Sequence, residues 1–133
     1  MSKTDTVKAV YDAFGRGDVP TILEQCAPDV DWNNTRVHSK EVPWNGDFSG
    51  TSKLPAFFEA VGNNLEFSVF NPHTFVESGD NVIVLLRIES TLKRNGRPLV
   101  NDVVHAWKVN GDGKVTSYRH YNDTAMELAA WKA

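Results

Sequence analysis

The chain predicts an α+β fold, with helices gathered on one face of a long antiparallel sheet. Two apolar-striped helical stretches occupy the first 27 residues. From Asn64 onward the sequence alternates almost without interruption in strand fashion, broken only by GDN, RNGR and NGDG. A short helical segment, TAMELAAW, closes it. Long strands twist and curl, so a sheet of this kind leaves a concave apolar space under its helices. A small ligand fits such a space.

Each element has its own signal. In TDTVKAVYDAFGRGD, Val7, Val10, Tyr11 and Phe14 fall at i, i+3, i+4 and i+7, one helical stripe. Gly15 and Gly17 stop that helix. Asp18 caps a second, short one that tolerates Pro20 in its first turn and runs to about Ala27. Val30 and Trp32 alternate with Asp31 and Asn33, as on a half-buried strand. Residues 35–50, TRVHSKEVPWNGDFSG, have no period and read as a long loop over a site. Thr51 or Ser52 caps a third helix, whose apolar face is Phe57, Phe58 and Val61 and whose end is Gly62. Four strands follow: LEFSVFNPHTFVESGD, NVIVLLRIESTLKR, PLVNDVVHAWKVN and KVTSYRHYN.

The chain has 133 residues, 41% hydrophobic and 23% charged, with a formal net charge of −3. One domain, residues 1–133, accounts for that length. Lys and Arg are scattered, which argues against nucleic acid and membrane surfaces as partners. The N-terminus, MSKTDT, is polar, and a cytoplasmic protein is expected. Cys26 is the single cysteine. It has no basic neighbour in sequence to activate it, and beside Ile22 and Leu23 it reads as a small core hydrophobe. No metal signature, Ser-His-Asp set or phosphate loop is present, and no cofactor is expected. His38 and His73 have no spacing partner, and His105 and His120 do not form a helical pair.

The stretches YDAFGRGD, APDVDW and HAWKVNGDGKVTSYRHYND resemble the SnoaL-like polyketide cyclases, within the superfamily of ketosteroid isomerase and nuclear transport factor two. The likeness spans nearly the whole chain. It implies a cone-shaped α+β barrel: a strongly curved, mixed or antiparallel sheet wrapped around the N-terminal helices, with a deep apolar pocket. It says less about function, because that cone hosts isomerases, cyclases, dehydratases, epoxide hydrolases and binding domains. The isomerase's strand-one carboxylate falls on Trp32 here, its acid on His105, and its helix-one tyrosine on Val10 or Tyr11. The limonene epoxide hydrolase pattern is met in part by Trp32-Asn33-Asn34, Arg87-Ile88-Glu89 and Asp123. The cyclases' histidine and aspartate are similar in placement to His105 and Asp123.

The residues themselves leave choices open. Val103, His105, Trp107 and Val109 share a strand face, where His105 is either a core histidine or a proton carrier. Arg87 and Glu89 share a face of their own, as a surface ion pair or as pocket charges. A two-residue Asn95-Gly96 turn would set Arg87 opposite Val104 and Glu89 opposite Asp102. A three-residue loop, Arg94 to Gly96, would set them opposite Val103 and Asn101, and Arg87 would then share a face with His105. Charge pairing favours the three-residue loop. Thr124 and Glu127 match a capping box, so Asp123, on the strand parity of Arg119 and Tyr121, either serves the pocket or is itself an N-cap or the partner of an arginine. Trp32, Trp44, Trp107 and Tyr121 are candidate walls.

These readings describe a homodimer binding a small apolar carbonyl compound. His105 would act as acid or base, Asp123 as base or orienter and Arg87 as anion stabiliser, with Trp32, Asn34, Trp44, Glu89, Trp107, Arg119 and Tyr121 around the ligand. Epoxide opening by a water on Asn34 and Asp123 and ligand binding without chemistry are the alternatives.

Overall fold

A computed structural model describes residues 2–133. Helix α1 spans Lys3–Gly15 and α2 Val19–Glu24. Strand β1 is Cys26–Asp31, and α3 is Leu54–Asn64. The remaining strands are β2, Leu65–Ser78; β3, Asn81–Leu92; β4, Pro98–Val109; and β5, Val115–Tyr121. Helix α4, Thr124–Lys132, ends the chain. The strands form one sheet in the order β1-β5-β4-β3-β2, with β1 parallel to β5 and every other pair antiparallel. The expected α+β architecture with a mixed sheet is what the chain adopts.

Strand β2 shows how the sheet bends. Phe67, Phe70 and Phe75 all pack against the core, yet their spacings of three and five fit no regular strand. Two bulges reconcile them. Phe67 pairs with Ser90 and Val69 with Glu89, leaving Ser68 extra; Pro72 pairs with Leu86 and Thr74 with Leu85, leaving His73 extra. Each bulge returns the next phenylalanine to the inner face and tightens the twist. Pro72 is tolerated because β2 is an edge strand.

Helix α1 lies in the resulting hollow. Ser2 and Asp5 close a capping box at its start, and Glu77 Oε1 of β2 accepts from Thr4 N at 2.8 Å and Thr4 Oγ1 at 2.7 Å. Val7, Val10 and Ala13 are buried along its inner stripe. Cys26 is buried too, and burial pushes its thiol up to about 11.

Several boundaries differ from expectation. Helix α2 stops at Glu24, because Gln25 and Cys26 turn to pair with β5. Helix α3 has Lys53 at its N-cap with no side-chain bond, and it runs past Gly62 to Asn64. The β3–β4 loop is neither of the two proposed. Leu92 N donates to Arg97 O at 2.8 Å, enclosing the four residues 93–96. Gly96 adopts φ 72° there. Asn95 is pulled away from a tight turn, since its Nδ2 donates to Ala130 O of α4 at 2.8 Å. In this register Arg87 faces Asp102 and Glu89 faces Val100.

The inner residues of β3 are Val82, Val84 and Leu86, all at most 1% exposed. The apolar residues left on the outer face are their neighbours, among them Leu85. Among the described residues, no helix is long and apolar enough to cross a membrane.

Candidate functional site

The concave side of the sheet, α1, α3 and α4 enclose a cavity of about 100 Å³. One end is aromatic and aliphatic: Phe14, Phe58, Phe67, Phe70, Ile88 and Leu99 among others. The other end is polar, formed by His105, His120, Asn45, Asn122 and Glu127.

Of the residues expected at the site, Trp32, Asn34, Trp44, His105 and Trp107 line this cavity. Trp32 stacks on Tyr118 with ring centroids 4.1 Å apart. Trp44, though in the long loop, packs edge-on against Trp131 of α4 and is 7% exposed.

Arg87, Glu89, Arg119, Tyr121 and Asp123 do not line it, and each has a physical reason. The observed β3–β4 register turns Arg87 to the outer face, where it lies 3.4 Å from both Glu89 and Asp102. Glu89 goes with it. On β5, Val109 pairs with Val115 but Lys108 with Ser117, so Thr116 is an extra residue. That bulge reverses the parity of everything after it. Without it Arg119 would stand opposite His105; with it His120 does. Arg119 instead grips Asp31 with two bonds of 3.1 and 2.7 Å, and Tyr121 is 45% exposed.

Asp123 is the N-cap of α4, with Met126 N donating to its Oδ1 at 3.0 Å. Thr124 is the first helical residue, not the cap. The side chain of Asp123 is committed to the helix and is exposed. Asp123→Asn is therefore expected to melt with the wild type, and Asp123→Ala about 1 kcal/mol less stable. Thermal unfolding of both variants checks this. An Asn variant that loses ligand binding at full stability would return Asp123 to the pocket.

Apart from His105, the polar end is formed by residues that the sequence did not single out. Trp107 Nε1 donates to Tyr11 Oη at 2.9 Å, and Tyr11 Oη lies 2.7 Å from His105 Nδ1. An indole N–H only donates, and Tyr11 Oη has no other acceptor among the described residues, so its proton is satisfied only by pointing at His105 Nδ1. A neutral His105 then carries its hydrogen on Nε2 and donates to His120 Nδ1 at 2.9 Å. A neutral His120 in turn carries its hydrogen on Nε2, which has no hydrogen-bond partner among the described residues. Tyr118 Oη flanks the link, 3.1 Å from His105 Nε2. Burial pushes His105 well below the ordinary range, and the His120 ring adds to this. Burial also pulls His120 down to about 4, against the pull of Glu127. Both rings are neutral at pH 7.

Glu127 is 2% exposed. Asn45 Nδ2 donates to its Oε1 at 2.6 Å and Asn122 Nδ2 to its Oε2 at 2.7 Å. Burial alone would raise its pKa, but these amides, His38 and His120 hold it below the ordinary carboxylate range. Glu127 is an anion facing an apolar cavity. Asn34 Oδ1 accepts from His120 N at 3.0 Å and fixes the end of β5. Asn34 lines the cavity and Asp123, drawn outward as the cap, does not, so the pair that epoxide opening would use does not face one cavity. Among the described residues, no three His, Cys, Asp or Glu side chains converge as a metal cage.

Residues 7–118 match the family described as SnoaL-like domain. No functionally curated protein matches the chain in sequence. Among solved structures, the chain is similar to an NTF2-like protein of unknown function from Burkholderia pseudomallei K96243, at 30% identity over 100% of both chains and a TM-score of 0.85. A second NTF2-like protein, from Burkholderia xenovorans LB400, is 31% identical over 96% of this chain and 94% of its own, also with a TM-score of 0.85. TerC, co-crystallised with polyporic acid, is 27% identical over 98% of both chains, with a TM-score of 0.82.

Proposed function

Since this chain belongs to the SnoaL-like domain family, we propose that it binds a small, largely apolar carbonyl compound and moves a proton on it without a cofactor. Glu127 is the base and His120 the donor to oxygen. One observation carries the reading: a buried carboxylate and an imidazole nitrogen without a partner stand together at the polar end of an otherwise apolar cavity.

The step balances within the site. Glu127 Oε takes a proton from the carbon next to the carbonyl, and the C–H electrons pass to the carbonyl oxygen. The resulting enolate oxygen is met by His120 Nε2–H. A neutral imidazole suits this role, because it donates a hydrogen bond without giving up its proton. The Trp107–Tyr11–His105 chain polarises that N–H from behind. Glu127 then returns the proton to a second carbon, an isomerisation, or the enolate carbon attacks a second carbonyl and the alkoxide formed takes the proton back from Glu127, a cyclisation. The low basicity of Glu127 in the open cavity rises when an apolar ligand displaces water and desolvates the carboxylate. The co-crystallisation of TerC with polyporic acid supports the binding half of this reading.

The test is deuterium exchange. Compact aromatic ketones are incubated with the protein in D₂O, and loss of the α-proton signal is followed by NMR. Binding without exchange would leave a ligand-binding domain.

The outer face of the sheet bears on assembly. Leu85 is 40% exposed, Val76 54% and Tyr121 45%, and Val104 stands between Leu85 and Tyr121 in one row across the sheet. Contiguous apolar residues on an open sheet face mark an association surface, and a homodimer through it belongs to the same proposal. Sedimentation at tens of micromolar should give the mass of two chains, and Leu85→Glu should return one. A wild-type monomer at that concentration would remove the dimer from the proposal.

A further inference from the structure

We propose that His38 is a positioning residue for Glu127 and that the two share one proton, delivered from the loop over the cavity. This rests on the reading of Glu127 as the base.

The geometry argues it through a forced tautomer. His38 is 6% exposed, and its Nε2 lies 2.6 Å from the backbone oxygen of His120. A carbonyl oxygen only accepts, so Nε2 must carry a hydrogen. In a neutral ring Nδ1 would then be a bare lone pair. That Nδ1 is buried with no hydrogen-bond partner among the described residues, and Glu127 Oε1 lies 3.7 Å from it. A lone pair facing a carboxylate oxygen away from water is unfavourable on both sides. A single proton between them removes the conflict.

The other partners of Glu127 say where that proton rests. Asn45 and Asn122 both present N–H to its oxygens, which favours the anion. The proton therefore sits on His38, and the resting pair is imidazolium and carboxylate. The shifts agree in direction. Burial would lower His38, but the Glu127 carboxylate and the His120 carbonyl outweigh it and raise it. The groups facing the pair are Glu127 on α4, His38 on the loop and His120 on β5, whose ring centroid is 5.7 Å from that of His38. Behind His120 stand His105 on β4, Tyr118 on β5 and Tyr11 on α1.

No earlier signal singled out His38, because it lies in a loop without periodicity. Its role follows from the fold: the loop crosses the end of β5, and one imidazole spans from a strand carbonyl to a helix carboxylate. When Glu127 takes a proton from substrate it becomes neutral, and the imidazolium then offsets the negative charge that passes to the substrate oxygen. It also fixes the orientation of Oε1.

Nitrogen-15 NMR of the imidazole rings in the full chain tests this with no substrate. His38 is expected to show two protonated nitrogens at pH 6, to titrate above 6.5, and to drop below 6.5 in Glu127→Gln. A neutral Nε2–H ring at pH 6 that ignores Glu127→Gln would overturn the proposal. In the exchange assay, His38→Gln should move the acidic limb of the pH profile upward by about one unit, because Glu127 loses the imidazolium that holds its pKa down. A His38 that only packs the loop would lower melting and leave the limb in place. A coupled titration without any exchange activity would keep the pair and remove Glu127 from catalysis.

Discussion

Glu127→Gln is expected to slow α-proton exchange by on the order of 10²- to 10⁴-fold, the range for losing a general base. Gln keeps the length and shape of the side chain but cannot take a proton from carbon. One of its termini can still accept from Asn45 or Asn122, which donate at 2.6 and 2.7 Å in the wild type. Its new NH₂ group, however, meets the other amide donor to donor, which is a cost. Taking the carboxylate away from the buried His38 adds a further cost. Melting should therefore fall, while turnover falls by far more than the loss of folded protein explains. Ligand binding should persist, since the apolar walls at Phe58, Phe67 and Leu99 are untouched. A Gln variant that exchanges at the wild-type rate would place the base elsewhere. Equal losses of binding and exchange would indicate that Glu127 orients ligand and takes no proton.

The fold was legible because its signals are local and repeated. The Val7, Val10, Tyr11, Phe14 stripe and the long alternations of β3 and β4 each follow from one period. The site was legible only in part, and the losses trace to single residues. Thr116, an extra residue in β5, exchanges Arg119 for His120 on the inner face. Asn95 bonds α4 in place of forming a tight turn, and Arg87 thereby leaves the face of His105. Bulges and loop–helix contacts of this kind are tertiary, and no period announces them. Glu127 was hidden differently. Thr124 and Glu127 match a capping box, so the carboxylate already had a structural account. In the folded chain Asp123 caps the helix, and Glu127 turns inward. A hint was present: a helix with two capping acids available has one more than it needs.

Acidification should destabilise the protein steeply, starting near pH 6.5. His105 and His120 are both held below the ordinary histidine value of 6.5 by burial. As the pH falls through 6.5 the unfolded chain takes up protons at both positions. The folded chain refuses them until about 4 at His120. Stability is therefore lost over that interval, at up to about 1.4 kcal/mol per pH unit for each ring. Between pH 6.5 and 5 the two together amount to on the order of 3 kcal/mol. His38 does not compensate. Its raised pKa gives a contribution already complete below 6.5, which is lost only as the pH climbs through its folded value. Glu127, with its pKa lowered from 4.5, adds a further loss as the pH falls below 4.5. Urea unfolding at pH 7, 6 and 5 measures the slope, and a drop of several degrees in melting temperature per pH unit should accompany it. His120→Gln should flatten the slope, because it removes one of the two refusing rings. A stability that stays level from pH 6.5 to 5 would mean that the rings are charged in the folded state. Tyr11 could not then donate to a protonated His105 Nδ1, and the donor chain that ends at His120 Nε2 would not run in the direction proton transfer requires.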